Sequence, residues 1–127
     1  MNVLSLCSGV GGLDRFTRSL GWRTLAYVER DEYRQAVLHA RMRDGRLDSA
    51  PLWPDLRTFD GVEWRGAVDC IVGGFPCQPF STAGKQRGAD DPRNLWPEVN
   101  RILREVRPRF AFLENVPGLL HGAYWGT

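Results

Sequence analysis

Hydrophobic and polar positions along the chain switch repeatedly between a period near two and a period near 3.6. Residues 2–7 form a short apolar run that enters Ser8-Gly9-Val10-Gly11-Gly12, after which Leu13, Phe16 and Leu20 recur at helical spacing. The pattern predicts a strand, a tight turn and a helix that faces the core with those three residues and stops at Gly21. Residues 24–29 read as a second strand. Asp31 caps a second helix, carried by Tyr33, Ala36, Val37 and Ala40 on one face and ended by Gly45. Residues 45–67, interrupted by Pro51 and Pro54, leave room for a short third strand at 56–59. Residues 68–73 are the clearest strand, followed by a long loop at 74–91. Pro92 opens a helix through Arg107 with Leu95, Trp96, Val99, Ile102, Leu103 and Val106 as its apolar stripe. Pro97 falls in its first turn, where a missing N–H does little harm. Residues 109–114 then form a strand of the fully buried kind, apolar on both faces as in a central strand.

Strand and helix in alternation predict an α/β domain, doubly wound around a mostly parallel sheet, with ligands bound beyond the carboxyl ends of the strands. The 127 residues suit one domain, and 43% apolar residues suffice for an ordinary core. The net charge of +2 neither requires nor excludes a polyanionic partner. Lys85 is the lone lysine among 17 cationic residues, so the basic surface is almost wholly arginine, the better residue for bidentate phosphate contacts. Cys7, Cys70 and Cys77 make no C-x-x-C pair, and His39 and His121 stand far apart, which argues against a zinc site and against a disulfide framework. There is no basic, apolar leader and no run of membrane-spanning length, so the expected setting is the cytoplasm, away from any membrane.

Four candidate sites follow the four best strands. The first is the glycine turn, where Gly9, Gly11 and Gly12 let the backbone approach a ligand at a helix N-terminus, or serve close strand–helix packing alone. The second is Glu29, twenty residues after Gly9. An acid at that spacing can accept from both hydroxyls of a ribose; otherwise it is an exposed strand-end acid. Together the two favour an adenosine-containing cofactor. The third is Gly73-Gly74-Phe75-Pro76-Cys77-Gln78-Pro79-Phe80-Ser81, in which two prolines hold Cys77 where a nucleophile must stand. Cys7 and Cys70 read instead as ordinary core thiols. The fourth is Glu114, which either is satisfied structurally or is a site acid whose pKa its apolar surroundings raise.

Taken together, the sites resemble the C5-cytosine DNA methyltransferase family. Residues 69–81, centred on Pro76-Cys77-Gln78, resemble its nucleophile motif, Glu114-Asn115-Val116 its Glu-Asn-Val motif, and residues 7–12 its S-adenosylmethionine loop. The resemblance implies a Rossmann-like S-adenosylmethionine-dependent methyltransferase fold. It implies transfer of a methyl group to C5 of a flipped-out cytosine in double-stranded DNA, with Cys77 adding to C6 and Glu114 hydrogen-bonding N3. It further implies that Cys7, Gly9, Gly11, Gly12 and Pro76 border the cofactor, that Glu29 holds its ribose, and that Asp55 and Leu56 hold its adenine. Gln78, Ser81, Lys85 and Arg87 would belong to a DNA-contacting loop; the alternative for its two cations is a solvated loop.

The chain departs from the family's usual pattern at Ser5, where an acid is common, and at Cys7 and Arg30, where aromatic residues are common. The family also continues well beyond Glu-Asn-Val, with a target-recognition domain and a closing C-terminal motif. Residues 1–127 therefore read as the N-terminal part of the catalytic domain, with a fold incomplete at its C-terminus and no target-recognition domain. The chain would then be a fragment or half enzyme of a bacterial or phage-encoded modification system. It would depend on a C-terminal complementary half or on a homo-oligomer. A non-catalytic S-adenosylmethionine-binding module and an RNA cytosine-5 methyltransferase are the alternatives.

Overall fold

The structure is a computed structural model that describes residues 1–74 and 95–114. Among these, β1 (Asn2–Leu6), β2 (Arg23–Val28), β3 (Leu52–Trp53), β4 (Cys70–Gly73) and β5 (Phe110–Leu113) form one sheet in the order β3-β2-β1-β4-β5, every neighbouring pair parallel. The helices are α1 (Gly12–Ser19), α2 (Glu32–Arg43) and α3 (Trp96–Val106). The chain winds outward from β1 through β2 to β3, then returns across β1 to β4 and β5. That reversal between β1 and β4 is the switch point at which such sheets open a crevice.

Alternation along the strands divides the core into two layers. Leu4, Leu6, Val28 and Ile71 pack with Val99, Ile102 and Val106 of α3 and with Leu56 and Phe59. On the opposite face Val3, Cys70 and Val72 meet Leu13 of α1 and Trp22, while Tyr27 packs with Leu38 of α2 and Leu47. Helices thus cover both faces, as the alternating pattern predicts. Among the described residues no helix is long and apolar enough to cross a membrane.

Several local expectations are corrected. Helix α1 turns Asp14 and Thr17 inward and leaves Phe16 60% exposed, with Leu20 exposed as well. Helix α2 buries Leu38, while Tyr33 is 75% exposed and Ala36 lies open. In both helices the apolar spacing was sound as a helical signal, but the crossover between parallel strands decided which side met the sheet. Residues 56–59 are not a strand: Leu56–Thr58 is a 3-10 turn, and the pairing strand is Leu52–Trp53. Leu56 and Phe59, three residues apart, are both buried in one layer, which a turn permits and an extended strand does not. Strand β5 lies at the sheet edge among the described residues, with Phe110 and Phe112 about half exposed, so an apolar face stands open on a strand of central-strand composition. Helix α3, by contrast, buries Val99, Ile102 and Val106 of the stripe read from its sequence, packs Leu95, Trp96 and Leu103 partly buried beside them, and carries Pro97 in its first turn. It begins at Trp96, and Pro92 lies outside the described residues.

Candidate active site at the carboxyl ends of the strands

Cys7, Glu29, Gly74 and Glu114 each follow the last residue of a parallel strand, so the topology alone brings their neighbourhoods to one edge of the sheet. The turn after β1 is built around positive φ angles at Cys7 (50°), Gly9 (60°) and Gly11 (88°). The amide of Ser8 donates to the carbonyl of Val28 at 3.0 Å, which ties this turn to the end of β2. Arg41 of α2 donates to the Val10 carbonyl and braces the turn from behind.

Gly9 and Gly11 have different tasks. A Cβ on Gly9 would meet nothing within 4 Å, so the backbone there faces open space. A Cβ on Gly11 would stand 2.8 Å from Leu47 Cδ1 and 3.2 Å from Leu38 Cδ2. Gly11 therefore lets the turn settle against the α2 layer, and it lines neither of the cavities described below. Gly12 begins α1 and lines the smaller one.

Glu29 is only 6% exposed, and each of its carboxylate oxygens has a backbone partner. Its Oε1 accepts from the Gly9 amide at 2.8 Å and its Oε2 from the Asp31 amide at 2.8 Å. Gln35 Nε2 donates to the Glu29 carbonyl at 2.7 Å. Two backbone amides fix the carboxylate's plane while each oxygen keeps a further acceptor site. Asp31 also accepts from the Arg34 amide at 3.0 Å, so the predicted helix cap doubles as part of the Glu29 cradle.

A cleft of about 900 Å³ opens here, and Cys7, Gly9, Glu29, Asp55, Leu56 and Gly74 all line it. Asp55 begins the 3-10 turn, its Oδ1 accepting from the Arg57 amide at 2.9 Å. Arg101 of α3 holds that turn: Nη2 donates to the Leu56 carbonyl and Nη1 to the Phe59 carbonyl, each at 2.9 Å. The sequence reading missed that Arg30, Asp31, Arg34, Arg57 and Leu95 also line the cleft. Their charge and turn positions carry no signal separable from a solvated surface, and the spacing of Leu95 marks it only as core stripe.

A second cavity of about 190 Å³ shares Cys7, Gly9 and Gly74 with the cleft and adds Ser5, Gly12, Asp14 and Glu114. Glu114 is exposed, and its amide donates to the Gly73 carbonyl at 2.7 Å. Cys7 is half-buried; burial first, and the negative charge of Glu29 second, push its thiol up to about 12. Burial likewise raises the Cys70 thiol, and nearby Asp69 adds to the effect. Both are protonated at neutral pH, in keeping with their reading as ordinary thiols. Pro76, Cys77, Gln78, Ser81, Lys85 and Arg87 lie outside the described residues, as do Asn115 and Val116.

The family model for C-5 cytosine-specific DNA methylase matches residues 1–124. A type II methyltransferase of Neisseria gonorrhoeae, M.NgoMIV, is 39% identical over 117 residues, which cover 92% of this chain and 36% of the relative. The chain spans about a third of the length of such curated relatives. Among solved structures, one described as a DNA modification methyltransferase encoded within a prophage of E. coli is 32% identical. It superposes with a TM-score of 0.75 over 99% of this chain and 35% of its own. The glycopeptide N-methyltransferase MtfA, solved with S-adenosylmethionine, is 18% identical. It shares the fold at a TM-score of 0.51 over 84% of this chain and 41% of its own.

Proposed function

The chain belongs to the C-5 cytosine-specific DNA methylase family, and from that premise we propose that it is the cofactor- and nucleophile-bearing part of a DNA (cytosine-5)-methyltransferase. The single observation that carries this reading is the fastening of Glu29, at the end of β2, to Gly9, in the turn after β1. It places a fixed, buried acceptor beside an open glycine turn, in a cleft large enough for a nucleoside. The residues present suit S-adenosylmethionine. Glu29 would accept from the ribose hydroxyls, Asp55 would face the adenine amino group, and Val28 and Leu56 supply apolar wall for the ring. When bound, that cofactor supplies an electrophilic methyl group.

In this reading Cys77, four residues beyond the end of β4, is the nucleophile that forms a bond from sulfur to C6 of cytosine. Glu114, at the end of β5, hydrogen-bonds and protonates N3, so the electron pair displaced by the addition has somewhere to go. C5 becomes nucleophilic as a result and would take up the methyl group, the sulfur–methyl bond breaking to leave S-adenosylhomocysteine. Loss of the C5 proton, with expulsion of the Cys77 thiolate, restores the aromatic ring. The cytosine must leave the base stack for this, and Gln78, Ser81, Lys85 and Arg87 would meet the backbone of the opened duplex. The setting would be the cytoplasm of a bacterium, within a restriction-modification or phage-borne system. Because the chain spans about a third of its relatives, we read turnover as requiring the remaining family segments, in one longer chain or as a complementary polypeptide.

Incubation with labelled S-adenosylmethionine and a cytosine-containing duplex, with and without a C-terminal half from a family member, tests the proposal. Methyl incorporation that Cys77→Ser abolishes is the expected result, and a 5-fluorocytosine duplex should trap a covalent adduct at Cys77. An adduct mapped to another residue, or activity on RNA alone, overturns it. Cofactor binding without incorporation in either format would leave a non-catalytic binding module.

A further inference from the structure

Asp14 is the anomaly of this molecule. It sits in the first turn of α1, is 1% exposed, and neither carboxylate oxygen has a hydrogen-bond partner. A buried, ionised and unpaired carboxylate costs several kcal/mol, so a group of this kind calls for a partner that the chain itself does not supply. The neighbouring polar groups are already committed. The Ser5 hydroxyl and Asp14's own amide only partly offset the charge, since Ser5 is bonded to Ser8 Oγ at 2.8 Å. Arg18 pairs with Asp48 at 3.6 Å while donating to the Gly45 carbonyl. Asp14, Asp48 and Arg18 all act on the Tyr27 hydroxyl, so two carboxylates share the neighbourhood of one guanidinium and leave an excess negative charge.

Asp14 lines the smaller cavity, which adjoins the Glu29 cleft through Cys7, Gly9 and Gly74. That cavity is where a ligand whose nucleoside lies in the cleft would send its other end. We propose that Asp14 is the anionic contact for the α-ammonium group at the amino-acid end of the cofactor. Helix α1 adds the complementary feature: its Gly11 cap offers no side-chain bond, so no capping side chain stands between the Gly12 and Leu13 amides and the ligand's carboxylate. A zwitterionic end would then find both of its partners in one turn of helix. The inference rests on the cofactor reading above and goes beyond it in naming the residue that distinguishes an amino-acid-bearing nucleoside from a plain one.

The test is calorimetry on the full chain with S-adenosylhomocysteine and with its analogue lacking only the α-amino group. For the wild type the analogue should bind about tenfold more weakly, the scale of one charge-assisted hydrogen bond. Asp14→Asn should lose about the same factor toward S-adenosylhomocysteine and almost nothing toward the analogue. Asp14→Ser, which leaves space for a water, repeats the comparison, and thermal unfolding checks that both variants fold. Equal binding of the two ligands by the wild type overturns the inference while the cofactor reading stands. Equal losses toward both ligands in the variants, or unfolding of both variants, assigns Asp14 a structural role instead. Failure of the wild type to bind either ligand overturns the cofactor reading and the inference with it.

Discussion

The carboxylate of Glu29 accepts the backbone N–H of Gly9 at 2.8 Å, so the acid that ends β2 is fastened to the turn that ends β1. Together with the Ser8 amide's bond to the Val28 carbonyl, this bond links two motifs that lie twenty residues apart. The same carboxylate holds the first residue before α2 through the Asp31 amide. Removing it should therefore disturb binding and local structure together. Glu29→Ala is expected to weaken S-adenosylmethionine by about 1–3 kcal/mol, measured by calorimetry, whereas Glu29→Gln, which keeps one acceptor, should lose less. Equal affinity of wild type and Glu29→Ala would remove Glu29 from the cofactor site.

The glycines of the turn should separate by role. Gly11→Ala combines a left-handed backbone with a 2.8 Å approach to Leu47 and should cost about 2–4 kcal/mol of stability. Gly9→Ala meets no atom and should cost only the backbone strain, about 1–2 kcal/mol, while intruding on the cleft. Denaturant titration of both variants alongside ligand binding checks this. A larger stability loss at Gly9 than at Gly11 would contradict it.

Burial pushes the Asp14 carboxyl up to about 6, with the charge of Asp48 adding to it and the Ser5 hydroxyl working the other way. An unfolded aspartate titrates near 3.9, so the folded chain holds this proton more tightly than the unfolded one. Below about pH 4 both states are protonated and the residue costs nothing. Between about pH 4 and pH 6 stability falls as pH rises, and above that a constant penalty of about 3 kcal/mol remains. Asp14→Asn should flatten that slope and raise stability at pH 7–8, measured by urea unfolding across the pH range. A stability that rises through the same window in the wild type alone, relative to the variant, would reverse the assignment.

Arg101 fixes the turn that carries Asp55 and Leu56 by donating to two backbone carbonyls, and it also bonds Glu98 and Glu105. Arg101→Met keeps the length of the side chain and removes all four bonds. About 1–3 kcal/mol of stability should go with them, seen as a lowered thermal midpoint. Cofactor affinity should fall as well, because the wall of the cleft is no longer held.

Thiol reactivity offers a check that needs no substrate. With Cys7 raised to about 12 and Cys70 raised by burial, neither is a thiolate near pH 8. Folded Cys77→Ser protein should take up iodoacetamide only slowly at that pH, and urea should expose both remaining thiols at once. Rapid labelling of Cys7 in the folded variant would show that the turn opens in solution.

Much of this architecture was legible in one dimension. The order of strands and helices, the cap at Asp31, the stop at Gly21, the stripe of α3 and the meeting of Glu29 with the glycine turn all follow from local chemistry. In each case neighbours in sequence, or one parallel crossover, carry the information. The tertiary structure alone decided which side of α1 and α2 met the sheet, because a crossover sets a helix's rotation through contacts that its own periodicity does not contain. It turned Phe16 outward and Asp14 inward, and it made 56–59 a turn held by an arginine 45 residues away from Leu56. Periodicity reports that a face exists; only packing assigns its partner, and at Asp14 that assignment buried a charge no pattern could have placed.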